Sequence, residues 1–359
     1  MSDEFGQRRQ LIGAGLENRE LDGMLVASPA NVRYLTGFSG SNGALLALPG
    51  EFVFFTDPRY AIQCRREISC RTQVCKGPIL TAVAAMVAAR RIRRLGFESA
   101  HLSYEGFDKL RANMSVNTSL EPVSGWLEAH RMLKSGAEIE LIRRSVATNS
   151  NAFEWAARRI RPGMRERDLA AEIDHRMRRL GAEKPSFETI VAFGERSALP
   201  HAHPTGALLK QGQLVLIDMG AFQDGYASDM TRMLYLGTPS ARVKGLYRAV
   251  LEAQLAAIDA VRPGVTAAHV DRQARRVLKA YKLDRAFVHS TGHGLGLEIH
   301  ELPRIGKKDK TPLAAGMAIT IEPGVYPEDV GGIRIEDTVV VTATGCEVLT
   351  PTGKELRVL

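Results

Sequence analysis

Four acidic residues stand where an apolar β-ladder ordinarily excludes charge. In 213–236 two β-prone runs flank the turn signal Gln223-Asp224-Gly225, and Asp218 and Asp229 each interrupt a run of apolar or small residues. A simple hairpin centred between Gln223 and Asp224 makes the two aspartates cross-strand partners. Directly opposed residues carry their Cβ atoms about 4.5–5.5 Å apart, so two carboxylates there repel unless a cation lies between them. A second hairpin repeats the arrangement in 317–341, where MAITIEPGVY and GGIRIEDTVVV flank Pro327-Glu328-Asp329 and Glu322 and Glu336 centre on Asp329. Buried charge is rarely tolerated unless it is paired or metal-bound, and two independent carboxylate pairs point to metal.

Between the hairpins, 288–303 holds three of the nine histidines. Gly292, Gly294 and Gly296 disfavour a helix through His293, so His289 and His293 are not the i, i+4 pair of a zinc helix. The segment is not HExxH either, because Arg304 stands where the second histidine belongs. His293, between two glycines and beside four acids, reads as a ligand. Asp218, Asp229, Glu322 and Glu336 with one imidazole suit two divalent ions that share bridging carboxylates, and such hard ligands favour manganese or a similar metal over a thiolate-type zinc site. Two ions about 3.5–4 Å apart can hold a hydroxide and clamp the attacking and leaving groups of a hydrolysis. Upstream, the turn-rich 193–204 presents His201 and His203; spacing does not choose between them.

The elements that must hold these residues are α/β. The first third mixes an amphipathic start (8–19), an apolar run (23–27) and alternation through 44–55, punctuated by Ser28-Pro29, by the glycine-spaced loop 37–43 and by Asp57-Pro58. That loop has the GxxGxxG spacing but no P-loop lysine, and it reads as a turn. Near residue 130 the texture changes. A long amphipathic helix is expected over 131–161 and another over 166–180, followed by strands beyond Leu214 with helices at 243–261 and 267–281. The domains expected are 1–129 and 130–359.

A chain of 359 residues suits two domains. With 45% hydrophobic and 25% charged residues it is neither disordered nor collagenous. Its longest apolar run, Ile79–Ala89, falls short of the roughly 20 residues that cross a bilayer, and its N-terminus is too charged for a secretory signal. Cys64, Cys70, Cys75 and Cys346 match no CxxC pattern and read as reduced thiols, which places the protein in the cytoplasm. The net charge of +8 is spread thinly; its one dense run, 90–94, reads as the basic C-terminal turn of a helix, so no nucleic-acid and no membrane partner is expected.

The order Asp, Asp, His, Glu, Glu, set in IDMGAFQDGYASDMTR, STGHGLGLEIHE, TIEPGVY and GIRIED, resembles the pita-bread metallopeptidases of the M24 type, specifically aminopeptidase P and the Xaa-Pro dipeptidases. NVRYLTGFSGSNG followed by FTDPRY resembles the creatinase-like N-terminal domain of that branch, and Lys134-Ser135 with Glu138 its linker helix. Methionine aminopeptidases share the metal set but lack that N-terminal domain. The resemblance implies that Asp218 binds one metal, His293 and Glu322 the other, and that Asp229 and Glu336 bridge them. It implies His201 and His300 as catalytic residues contacting substrate and transition state, His289 as lining the substrate site, and Arg334, also on the substrate side, as supporting Glu336; His203 receives no role. The function implied is a dinuclear-metal aminopeptidase cutting Xaa-Pro bonds with a metal-bridging hydroxide. A dipeptidase, or a catalytically silent binding protein of the same fold, is the alternative. Two Mn²⁺ ions (Co²⁺ or Zn²⁺ as alternatives), proline-containing peptides and a homodimer or higher homo-oligomer complete the expectation.

Overall fold

Runs of β-branched and large apolar residues between Gly-, Pro- and Asp-containing turns become strands here, and longer segments with apolar residues three and four apart become helices. The computed structural model describes residues 2–359, and the chain divides into two compact units, Met1–His130 and Arg131–Leu359. In the first unit β1 (Gly23–Val26), β2 (Gly43–Leu48), β3 (Glu51–Thr56), β4 (Arg71–Val74), β5 (Arg94–Glu98) and β6 (Ser119–Val123) form one mixed sheet in the order β4-β3-β2-β1-β5-β6. Helices α1 (Ser2–Gly15), α2 (Pro29–Thr36), α3 (Ala61–Glu67), α4 (Ile79–Ala89), α5 (Tyr104–Ala112) and α6 (Trp126–Arg131) accompany it. Leu46, Val53 and Phe55 of the sheet pack with Val83 and Val87 of α4 and with Leu110 of α5.

Two local expectations change. Ser28-Pro29 is not a free-standing turn but the start of α2, where a first-position proline loses no helical hydrogen bond. The basic run 90–94 lies beyond its helix: α4 stops at Ala89, Arg90 caps it, Arg91 turns at φ +54° and Arg94 opens β5.

The second unit contains α7 (Gly136–Ala157), α8 (Glu166–Arg179), α9 (Ala241–Asp259) and α10 (Ala267–Ala280). The helix expected over 131–161 is therefore broken. A capping box starts α7 afresh, with the Ser135 hydroxyl taking the Glu138 N–H and the Glu138 carboxylate taking the Ser135 N–H. Strands β7 (Lys184–Pro185), β8 (Ile190–Phe193), β9 (Gln213–Met219), β10 (Ala221–Gln223), β11 (Tyr226–Ala227) and β12 (Met230–Leu236) precede α9. After α10 come β13 (Gly292–Gly294), β14 (Glu301–Ile305), β15 (Ala318–Ile321), β16 (Gly324–Val325), β17 (Ile333–Arg334), β18 (Asp337–Val341), β19 (Cys346–Val348) and β20 (Arg357–Val358). The two larger sheets run β20-β12-β9-β8 and β14-β13-β15-β18-β19.

Strand β9 is buried on both faces. Val215 and Ile217 pack with Phe153 of α7 and Ile173 of α8, whereas Leu214 and Leu216 join Val250 of α9, Val270 of α10 and Ile319 of β15. Side chains alternate along a strand, so Asp218 continues the Leu214 and Leu216 face, toward the second sheet.

Register decides which acids meet. Asp224 at φ +52° and Gly225 at φ +85° make a two-residue turn that pairs Gln223 with Tyr226, the geometry Asp-Gly favours. It places Thr231 opposite Asp218, so the direct Asp218–Asp229 opposition expected from the sequence does not occur. The register on either side puts Asp229 opposite Gly220, in the break between the two ladder pieces. The displacement is two residues and the side-chain period is two, so both aspartates keep one face as diagonal neighbours. The second hairpin pairs as expected: Ile321 faces Asp337 and Gly324 faces Arg334, which leaves Glu322 opposite Glu336 in the gap between.

Candidate metal centre

Asp229, Glu322 and Glu336 lie in breaks between ladder pieces, His293 lies beside a β-bulge, and Asp218 stays within the ladder, between Ile190 and Thr231. Asp229, His293 and Glu336 offer ligand atoms that all lie within 4.8 Å of one another. His293 Nε2 is 3.5 Å from Asp229 Oδ2 and 3.6 Å from Glu322 Oε1. Its Nδ1 lies 2.9 Å from the Gly294 carbonyl, which can only accept, so Nδ1 donates there and Nε2 is the ring nitrogen that faces the acids. The flanking glycines are required by close approach: a Cβ at Gly292 would stand 1.9 Å from the Thr320 carbonyl oxygen, and one at Gly294 2.2 Å from that of Leu302.

Asp218 is held otherwise. Arg334 Nη2 donates to its Oδ2 at 2.6 Å, Arg334 Nε to the Thr231 hydroxyl at 3.0 Å, and that hydroxyl donates to Glu336 Oε2 at 2.7 Å. Arg334 thus pairs directly with Asp218 and makes its hydrogen-bonded link to Glu336 through the Thr231 hydroxyl. Geometry explains it: the next same-face residue of an extended strand points along with Arg334, whereas Asp218 arrives from the facing sheet.

The electrostatics suit a cation. Burial, then the charges of Asp218 and Glu322, hold Asp229 well above the usual carboxylate range. Glu336 is pushed up by burial and then by Asp229 and Glu322; Glu322 is raised by burial, against the opposing pull of His293 and Arg334. Asp218 Oδ1 and Asp229 Oδ1 are buried and, among the described residues, receive no hydrogen bond. Four crowded carboxylates, two orphaned oxygens and one imidazole lone pair fit an oxygen-rich divalent-cation site.

The expected accessory residues gather around the same acids. The His300 ring meets that of His293 at a centroid distance of 4.4 Å; partial burial, then His293, lowers its pKa. His201 is exposed and near enough to His289 and His300 for its charge to depress both. His289 donates from Nδ1 to the Ser290 carbonyl and accepts at Nε2 from the Tyr326 hydroxyl, each at 2.7 Å, and burial lowers its pKa to about 4, so it is neutral. His203 instead pairs at the surface with Glu188.

Thr231 and Tyr326 escaped the sequence reading. Tyr326 accepts from Arg334 Nη1 at 2.8 Å while donating to His289, and Arg334 Nη1 also donates to the Pro200 carbonyl beside His201. The available signal for Thr231 was register, since it is the residue opposite Asp218. Behind the acids Arg232 is 1% exposed, and its guanidinium donates to the carbonyls of Thr231, Glu336, Thr352 and Gly353 and to Asp337. Asp337 also accepts from Gln254 and Lys354.

Comparison with known proteins agrees along nearly the whole chain. Residues 140–343 match metallopeptidase family M24, and residues 8–133 match the creatinase/prolidase N-terminal domain. The chain is 37% identical to the Xaa-Pro dipeptidase of Pyrococcus furiosus over 341 residues, 95% of this chain and 97% of that one. The structure of an Xaa-Pro dipeptidase from Bacillus anthracis superposes with a TM-score of 0.95 at 36% identity, covering 100% of both chains. That of an X-Pro aminopeptidase from Thermotoga maritima gives 0.89 at 33% identity, covering 95% of this chain and 98% of that one.

Proposed function

The chain belongs to metallopeptidase family M24, with a creatinase-type N-terminal domain before a pita-bread catalytic domain, and from that premise we propose that it is an Xaa-Pro dipeptidase. The observation that carries the choice is near-full-length similarity, at 37% and 36% identity, to proteins named Xaa-Pro dipeptidase. It reverses the order reached from sequence, which put the aminopeptidase first. The aminopeptidase reading keeps the support of the Thermotoga maritima structure.

In this reading Asp218 would hold one ion and His293 with Glu322 the other, with Asp229 and Glu336 available to both. Mn²⁺ suits the set best, with Co²⁺ or Zn²⁺ as alternatives. When bound, the ions acidify a water and polarise the scissile carbonyl. The protein's own groups do the rest. Arg334 neutralises Asp218 and through Thr231 aims Glu336. His300, beside His293, donates to or takes a proton from the reacting amide, and His201 faces the same space. Neutral His289, fixed by Ser290 and Tyr326, lines the substrate side. A prolyl nitrogen carries no N–H, so a site shaped for the ring needs no acceptor there, and other peptides bring a donor that goes unpaired. The resemblance and the cysteine usage further support a cytoplasmic homo-oligomer; among the described residues no helix is long and apolar enough to cross a membrane.

The test is hydrolysis of Met-Pro against Met-Pro-Ala by metal-loaded protein. Faster release from the dipeptide is expected. Preference for the tripeptide makes the protein an aminopeptidase, and absence of both metal and hydrolysis makes it a silent relative.

A further inference from the structure

One residue beyond His300 a carboxylate is buried between two cations. The Glu301 side chain is 4% exposed, and those of Arg131 and Lys134 are each 2% exposed. Lys134 Nζ donates to Glu301 Oε2 at 3.0 Å, and Arg131 Nη2 donates to Glu301 Oε1 and, at 2.7 Å, to Glu298 Oε2. Glu301 Oε1 also accepts the backbone N–H of Glu298 at 3.1 Å. The Gly296 N–H donates to the Glu298 carbonyl, and the Gly296 carbonyl accepts from Ala227. The turn that carries His300 is thus folded around a single carboxylate.

The cations are themselves anchored. The Lys134 N–H donates to the Gly316 carbonyl at 2.9 Å, and Leu133 bridges to Met317. Burial would raise the Glu301 carboxyl, but Lys134 and Arg131 outweigh it and hold it ionised. A buried ion cluster contributes little net stability compared with apolar packing of the same volume; its distinctive effect is to fix a direction. The His300 ring needs such an effect, because among the described residues it makes no hydrogen bond and its place follows from the backbone beneath it.

We propose that Glu301, clamped by Arg131 and Lys134, is a positioning residue that acts on the reaction through the placement of His300. The inference rests on reading His300 as the catalytic histidine.

A double-mutant cycle on the metal-loaded full chain tests it. Glu301→Gln should lower kcat about 10²-fold, the cost of a misplacement near 1 Å, with KM and bound metal close to wild type. In the His300→Ala background the same substitution should lower kcat less than about twofold, because the group it positions is gone. Equal losses in both backgrounds overturn the inference and leave the catalytic reading standing. A His300→Ala enzyme as fast as wild type overturns both. Should Glu301→Gln fail to fold, Lys134→Gln replaces it: a loss of about tenfold is expected, restored by Lys134→Arg and absent without His300. A loss that persists in His300→Ala again overturns the proposal.

Discussion

The two acid-bearing hairpins reach one site by different routes. Around 326–332 the ladder stops on both strands at once and Glu322 stands directly opposite Glu336. Around Asp224-Gly225 one acid stays in the ladder, with Asp218 opposite Thr231, while Asp229 occupies the break opposite Gly220. A shared face therefore needs matching parity and not direct opposition. Charge compensation differs as well. The first hairpin brings Asp218 to a buried guanidinium, whereas Glu336 in the second receives only a neutral hydroxyl and is held, with Asp229, well above the usual carboxylate range.

If that contrast is correct, the uncompensated acids are the ones the metal needs. Glu336→Gln keeps shape and the Thr231 contact but removes charge; it should lose bound metal and lower kcat/KM by at least about 10³-fold, several kcal/mol of lost transition-state stabilisation. Elemental analysis beside a Met-Pro assay checks this, and a full metal complement in the variant breaks the contrast. Arg334→Met attacks the compensated acid. It leaves Asp218 buried beside no cation and should destabilise the fold by about 3–5 kcal/mol in denaturant titration, an effect an unchanged midpoint would rule out.

A smaller effect sharpens the link between the hairpins. Thr231→Val leaves Arg334 Nε and Glu336 Oε2 without their shared partner and should cost about 1–3 kcal/mol, most of it regained by Thr231→Ser; equal stability of the Val and Ser variants refutes the relay. The smallest expected effect is a pH trend in chelated protein. A folded-state carboxyl raised above its unfolded value, near 4, binds protons the unfolded chain has released, so its stability contribution declines as pH rises through the folded value. Chelated Glu336→Gln should therefore gain melting temperature relative to chelated wild type between pH 5 and pH 8. A gap that narrows instead reverses the sign argued for Glu336.

The sequence carried the site residues further than their contacts. Glu322 and Glu336 could be placed opposite each other because the strands around Asp329 are symmetric in pattern. Opposed acids predict a centre between Gln223 and Asp224 for Asp218 and Asp229, whereas the two-residue Asp-Gly turn sets the register between Asp224 and Gly225. Arg334 lies two residues from Glu336 in sequence, but its direct partner Asp218 comes from 116 residues away, a distance no periodicity spans. Thr231 and Tyr326 are uncharged members of strand-like runs, and only folded register and packing separate them from structural neighbours. The break before α7 was different: Ser135 and Glu138 spell a capping box in the sequence, masked by apolar spacing that runs through it.

Arg232 carries a consequence for how the protein is made. Two of the carbonyls that receive its guanidinium, on Thr352 and Gly353, lie 120 and 121 residues further along the chain. At the roughly 5–20 residues per second of synthesis, on the order of 6–24 s separate the guanidinium from those acceptors. A nascent chain holds all five acid and imidazole groups before the backbone behind Glu336 is braced, so the site reaches its full rigidity only after 352–353 have been made and have folded onto Arg232.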